Sequence, residues 1–193
     1  MTWLLCDYGE VLCLPQPTAD REALESITGR SGADFWTSYW NHRRPYDRGD
    51  VTATSYWTAV LGTRPTPTDL EAIIEADTAS WIHPNPLALD AASRAAERGL
   101  RLAIFSNAPL EIARAIDSRE WLAEFCPRVY SYKLRMVKPE PAAYLAVLKA
   151  LDAHPKDVVF LDDRLENVIA ARNVGIRAEV FTDPLQFDSV ETF

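Results

Sequence analysis

The chain has 193 residues, enough for one sizeable hydrophobic core and too few for two large domains. Apolar residues make up 48% and charged residues 25%, ordinary for a soluble globular protein, and no apolar run is long enough to span a bilayer. Lys and Arg number 20 against 28 Asp and Glu, a net charge of −8 that repels nucleic acid and anionic membrane, so neither is expected as a partner.

The first residues, Met1 to Leu14, lack the basic stretch and small-residue cleavage site of a secretory signal. Trp3 to Cys6 is instead a short apolar run ending at an acid, the pattern of a buried parallel strand. From about Ala19 to Trp81 the periodicity is helical. Leu24 and Ile27 mark one helix. Phe35, Trp36, Tyr39 and Trp40 mark a second, Tyr56, Trp57, Val60 and Leu61 a third, and Leu70, Ile73, Ile74 and Trp81 a fourth. Breaks fall at 29–32, 45–50 and 62–67. These aromatic stripes read first as the core of a small bundle, with sugar stacking as the sharper alternative.

After Pro84-Asn85-Pro86 helices and strands alternate. A helix from Leu87 to Arg98 stops at Gly99, a strand runs from Leu102 to Phe105, and Ser106-Asn107-Ala108-Pro109 opens the next helix. Val129–Ser131 reads as a short strand, Glu140–Leu151 as a helix and Val158–Leu161 as a strand ending in Asp162-Asp163. A helix to about Val174 and a last strand near Ala178–Phe181 complete the pattern. Such alternation implies an α/β fold with a parallel sheet covered on both faces. Asp7, Ser106 and Asp162-Asp163 then stand at carboxyl ends of strands, where open α/β sheets bind ligands.

Three carboxylates gathered at one edge repel one another unless a hard cation lies between them, and Mg²⁺ suits carboxylates plus a phosphate oxygen. Ser106 and the following helix start can hold an anionic oxygen, and Lys138 supplies a fixed positive charge. Such an assembly is a phosphate site in which a free carboxylate is a nucleophile.

These residues resemble the four motifs of the haloacid-dehalogenase superfamily of hydrolases, in the family's order. The motifs are Asp7-Tyr8-Gly9-Glu10-Val11, the Ile104-Phe105-Ser106-Asn107 run, Lys138 in Met136-Val137-Lys138-Pro139, and Phe160-Leu161-Asp162-Asp163 with Asn167 beyond. Within the superfamily the chain looks most like the sugar-1-phosphate phosphatases and the phosphatase domain of soluble epoxide hydrolases. The resemblance implies a Rossmann-like three-layer α/β/α core over 1–14 and 86–193 and a helical-bundle cap inserted over 15–85. It implies an aspartyl-phosphate at Asp7, with Ser106 and Lys138 holding phosphoryl oxygens and Asn107 supporting them. Mg²⁺ would be held by Asp7, the Gly9 carbonyl and Asp163, with Asp162 beside it and Asn167 in support.

One position departs from the family's pattern. Gly9 stands where most of its phosphatases carry a second aspartate, the acid that protonates the leaving group, a function worth roughly 10² to 10⁴ in rate. Glu10 is adjacent, but alternation in an extended chain aims it to the other face. Three readings follow: a phosphomonoesterase for a small metabolite whose leaving group departs unaided, such as a sugar phosphate; an inactive relative that only binds phosphorylated ligands; or a dehalogenase, which also lacks that aspartate but uses no metal. A phospho-acceptor receiver domain shares the residue types in a different chain order. In the predicted cap, Asn41-His42-Arg43-Arg44 reads equally as a solvated helix end and as a substrate-facing patch. Three cysteines, Cys6, Cys13 and Cys126, lack metal-ligand spacing and are expected as buried filler in a cytoplasmic protein, monomer or homodimer.

Overall fold

The computed structural model describes residues 2–190; positions 1 and 191–193 of the predicted core ranges lie outside the described residues. In chain order the elements are β1 (Trp3–Cys6), α1 (Thr18–Thr28), α2 (Gly32–Asn41), α3 (Arg43–Asp47), α4 (Ala53–Leu61), α5 (Pro67–Ser80) and α6 (Pro86–Glu97). There follow β2 (Arg101–Ser106), α7 (Leu110–Asp117), β3 (Arg128–Tyr130), α8 (Ser131–Leu134), α9 (Pro141–Leu151), β4 (Val158–Asp162), α10 (Leu165–Asn173) and β5 (Arg177–Val180).

The five strands form one parallel sheet in the order β3-β2-β1-β4-β5. The inner strands are apolar except at their ends, where Arg101, Ser106 and Asp162 stand, and their side chains still sort by alternation. Leu4, Cys6, Leu102, Ile104 and Leu161 join a core beneath α6 and α7 on one face, with Ala88, Ala91, Ala92 and Ile112. Trp3, Leu5, Ala103, Phe105, Val158 and Phe160 join a second core on the other face, covered by Ala143, Tyr144, Val147 and Leu148 of α9 and Val168 of α10. Each fully buried Val, Leu, Ile or Phe contributes about 1.5–3 kcal/mol, so both faces must be covered for the sheet to stand. This is the Rossmann-like α/β arrangement that the alternation predicts.

Helices α1–α5 bury a third cluster of their own, centred on Tyr39, Tyr56, Trp57 and Ile73. Its helix starts are chemically marked. Thr52 and Thr66 accept from Ser55 and Asp69 backbone N–H groups, and Gly62 closes α4 at φ 72° in the left-handed region. The two ends of this insertion meet, because Leu14 N–H donates to the His83 carbonyl and Asn85 N–H to that of Leu12.

Several boundaries differ from the sequence reading. Pro45 sits inside α3, since proline is tolerated in a helix's first turn, so the predicted break at 45–50 is half helical. Ser131 begins α8 instead of ending β3, and β5 runs from Arg177 to Val180. Cys126 is exposed, not buried filler, because it lies in the loop entering β3, whereas Cys6 and Cys13 are buried as expected.

Candidate active site

Parallel pairing places Cys6 level with Ile104 on one side and Leu161 on the other. The next residues along these three strands therefore converge at one edge, and they are the ones that carry the chemistry. Asp7, Ser106, Asn107, Lys138, Asp163 and Asn167 line a single cavity there.

Lys138 organises it. Its ammonium is 2% exposed and lies 2.8 Å from Asp7 Oδ1 and 2.6 Å from Asp162 Oδ2. The rings of Phe105 and Phe160 stand 5.2 and 5.4 Å from it, within cation–π range. Lys138 is thus a buried, doubly paired cation and not a solvated surface lysine. Asn107 explains how the loop is held: its amide donates to the Lys138 carbonyl at 2.9 Å and accepts from the Lys138 N–H at 2.8 Å. Asn107 therefore lines the cavity with its side-chain amide engaged in fixing Lys138.

The two acids closing β4 differ in setting. Asp162 is fully buried, and both oxygens are engaged by Lys138, by the Asn167 amide at 2.8 and 3.0 Å, and by the Arg164 N–H at 2.9 Å. It anchors Lys138 from behind. Asp163 is half-buried and lines the cavity, and its carboxyl is raised to about 6 by burial, then by Asp162 and Glu10. Asn167 reaches Asp162 from α10 and its carbonyl accepts from Tyr144.

Asp7 is 8% exposed. Its Oδ1 accepts from the Tyr8 N–H at 2.6 Å and from Lys138, while Oδ2 accepts no hydrogen bond among the described residues. One oxygen is thus oriented and the other left toward the cavity. Burial raises the Asp7 carboxyl to about 8 against the pull of Lys138, with Asp162 and Asp163 adding to the rise. Ser106 is 4% exposed; its hydroxyl caps no helix, α7 being capped by Pro109 without a side-chain bond. That leaves the Ser106 hydroxyl available to a ligand oxygen.

The donor set suits a hard cation. One oxygen from each of Asp7, Asp162 and Asp163 lies within 4.8 Å of the others, and three carboxylates face a single ammonium. Two oxygens on one Mg²⁺ stand at most about 4.2 Å apart, so small side-chain rotations suffice. Asp7 and Asp163 are the pair that faces the cavity, with the Gly9 backbone in its wall.

Position 9 is where the sequence leaves its gap. Gly9 has no positive φ, and a Cβ built there would meet the Trp81 ring at Cζ3, 3.5 Å away. The indole is held by Nε1–H donation to the Tyr39 hydroxyl at 3.2 Å, and its backbone carbonyl accepts from Tyr8 Oη at 2.7 Å. An apolar ring edge thus flanks position 9 at ordinary contact distance. Glu10 does not follow the extended path expected of it. The chain turns at Tyr8, whose carbonyl accepts from Leu12 and Cys13 N–H groups, and Glu10 takes φ 57° and reaches the cavity wall, exposed.

Of the basic patch in α2–α3, Arg43 is buried and lines the same cavity, while Arg44 is exposed and pairs with Glu140 on the sheet domain. Trp81 enters the sequence reading only within an aromatic stripe, and Asp47 and Glu140 carry no site expectation there. The i,i+4 spacing of Arg43 and Asp47 was the available signal for Asp47. The inner cavity holds about 140 Å³, close to the space that takes one benzene, and opens into a cleft of about 600 Å³ sharing Trp40, Arg43, Asp47 and Asp163.

A parallel sheet with an oriented carboxylate, a buried lysine and paired acids at its carboxyl edge is an arrangement suited to hydrolytic chemistry on an anionic group. The sequence matches the haloacid dehalogenase-like hydrolases over residues 15–175, and the chain belongs to that family. It is 35% identical over 96 residues to bifunctional epoxide hydrolase 2 of Rattus norvegicus, covering 46% of this chain and 17% of that protein. It is 28% identical over 107 residues to phosphoglycolate phosphatase 1 of Pseudomonas aeruginosa, covering 55% of this chain and 35% of that protein. The chain thus spans well under two thirds of the length of either. A HAD family enzyme of Bacteroides thetaiotaomicron shares the fold at TM-score 0.76 and 21% identity, over 93% of each chain. The same enzyme in complex with magnesium and inorganic phosphate gives TM-score 0.71.

Proposed function

We propose that the chain is a Mg²⁺-dependent phosphomonoester hydrolase acting on a small phosphorylated metabolite, with Asp7 as nucleophile and the helical insertion, residues 15–85, as its cap. The observation that carries this reading is the asymmetry of Asp7: Oδ1 tied to Lys138 and the Tyr8 N–H, Oδ2 free at the cavity. Ser106 Oγ and Lys138 Nζ hold two phosphoryl oxygens while Asp7 Oδ2 attacks phosphorus in line with the ester oxygen. The P–O bond to the leaving group breaks and an aspartyl-phosphate forms; water then attacks its phosphorus and frees Asp7. Mg²⁺, held by Asp7, Asp163 and the Gly9 carbonyl, would neutralise the phosphoryl charge and screen the carboxylates from the incoming anion.

No carboxyl at position 9 protonates the departing oxygen, and the Trp81 edge beside it offers no proton. The reaction therefore favours leaving groups stable as anions, such as an anomeric sugar hydroxyl or a phenol. The Bacteroides relative's complex with magnesium and inorganic phosphate supports a phosphate site of this kind. The test is phosphate release from p-nitrophenyl phosphate and sugar 1-phosphates with and without Mg²⁺. Wild type should turn them over and Asp7→Asn should fall to background; equal rates in the two proteins would refute the assignment.

A further inference from the structure

Arg43 and Asp47 stand one turn apart on α3, 6% and 9% exposed, and both line the cavity that holds Asp7. Arg43 Nε donates to Asp47 Oδ1 at 2.8 Å, and Nη1 donates to the Tyr39 hydroxyl at 2.7 Å and approaches Asp77 Oδ2 at 3.5 Å. The Tyr39, Tyr46 and Tyr56 rings lie 5.3, 5.6 and 5.9 Å from the guanidinium carbon. The scaffold thus occupies Nε and Nη1. The Tyr56 hydroxyl also interacts with the guanidinium, while neither Arg43 Nη2 nor Asp47 Oδ2 takes part in the bonds that fix the pair to each other, to Tyr39 and to Asp77. Neither atom is among the fully buried unpartnered ones, and both residues line the cavity, so a substrate there can reach this donor and acceptor.

One donor nitrogen next to one acceptor oxygen matches a hydroxyl, which both accepts and donates. It does not match a second anion. Arg43 carries one positive charge against Asp47 and Asp77, and the nearby Arg164 is paired with Glu166. Trp40, 50% exposed, stands edge-on to Trp81 at 6.1 Å and 85°, and both rings line the same cavity. They offer an apolar wall to the C–H face of a compact ring.

We propose that the Arg43–Asp47 pair, with the Trp40–Trp81 wall, is a subsite for an uncharged, hydroxyl-bearing leaving group. It selects phosphorylated sugars or polyols and disfavours phosphorylated carboxylates. This rests on the phosphatase reading above and names its substrate class.

Steady-state kinetics compare a hexose 1-phosphate, its deoxy analogue, phosphoglycolate and p-nitrophenyl phosphate on wild type, Asp47→Asn and Trp40→Ala. Wild type should prefer the hexose ester to its deoxy analogue and to phosphoglycolate. Asp47→Asn should raise KM for the hexose ester about tenfold more than for p-nitrophenyl phosphate, with a far smaller change in kcat. It should also narrow the discrimination against phosphoglycolate. Trp40 is half exposed, so Trp40→Ala tests the same subsite without threatening the core. A uniform loss across substrates in both variants, or a wild-type preference for phosphoglycolate, would overturn the proposal. Failure to hydrolyse even p-nitrophenyl phosphate would count against the phosphatase reading alone. In that case calorimetry of the hexose 1-phosphate on Asp7→Asn, with and without Asp47→Asn, decides the subsite: about tenfold weaker binding in the double variant supports it, and equal binding refutes it.

Discussion

Position 9 shows how much one missing side chain can redirect a site. A Cβ at position 9 would stand in ordinary contact with the Trp81 edge at 3.5 Å, and the indole, anchored through Tyr39, narrows the rotamers open to a Gly9→Asp carboxyl. The substitution alone should recover less than the roughly 10²–10⁴ that a working general acid is worth. Rates across a series of aryl and alkyl phosphates give the check: kcat/KM should fall steeply with leaving-group basicity in wild type and Gly9→Asp alike, and a flattened slope in the variant would contradict this account. Lys138, in the loop between α8 and α9, entered through its motif, whereas Asp7, Ser106 and the paired acids were legible in the sequence because each closes or follows an apolar strand. Trp81 was not, because a residue distant in sequence flanks position 9, and spacing records nothing of that approach.

Among the elements, ion pairs and hydrogen bonds join the insertion to the sheet beside the cavity that holds Asp7. Glu140, at the start of α9, takes Arg44 at 2.8 Å and also pairs with Arg48, and its other oxygen accepts from the Val137 N–H next to Lys138. Tyr46 donates to Glu111 at 2.8 Å, Arg135 donates to the Gly49 carbonyl, and Ser131 donates to that of Asp47. The ion pairs are partly exposed, so Glu140→Ala should cost only about 1 kcal/mol, near 2–4 °C in Tm for a chain of this size. Melting curves at rising NaCl should bring variant and wild type together; a gap insensitive to salt would argue against an electrostatic clasp. The strand and helix order could be read from periodicity, whereas this clasp depends on α3 and α9 meeting across nearly a hundred residues of chain. Even the start of α3 was obscured by Pro45, which reads as a break and serves as a first-turn residue.

For the whole molecule, the gathered acids make stability depend on pH in a definite direction. Burial lifts Asp7 to about 8, far above the range it occupies in an unfolded chain. The folded state therefore binds a proton that the unfolded state has lost, and stability falls as pH rises from about 4 toward 8. Asp163 and Asp47, both raised to about 6, act in the same sense over a narrower window. In a metal chelator, the Tm of Asp7→Asn minus that of wild type should grow by at least roughly 2–4 °C between pH 5 and pH 8, equivalent to about 1 kcal/mol. A difference independent of pH would show that Asp7 does not titrate in this way. Added Mg²⁺ should raise the wild-type midpoint at pH 8 more than that of the variant.

The central claim is a covalent bond from Asp7 to phosphorus. Mass spectrometry of protein quenched in acid during turnover of p-nitrophenyl phosphate tests it most directly. The account predicts a phosphoryl group on the peptide containing Asp7, absent from Asp7→Asn. Phosphate release with no such adduct in repeated rapid quenches, or an adduct on another residue, would contradict it.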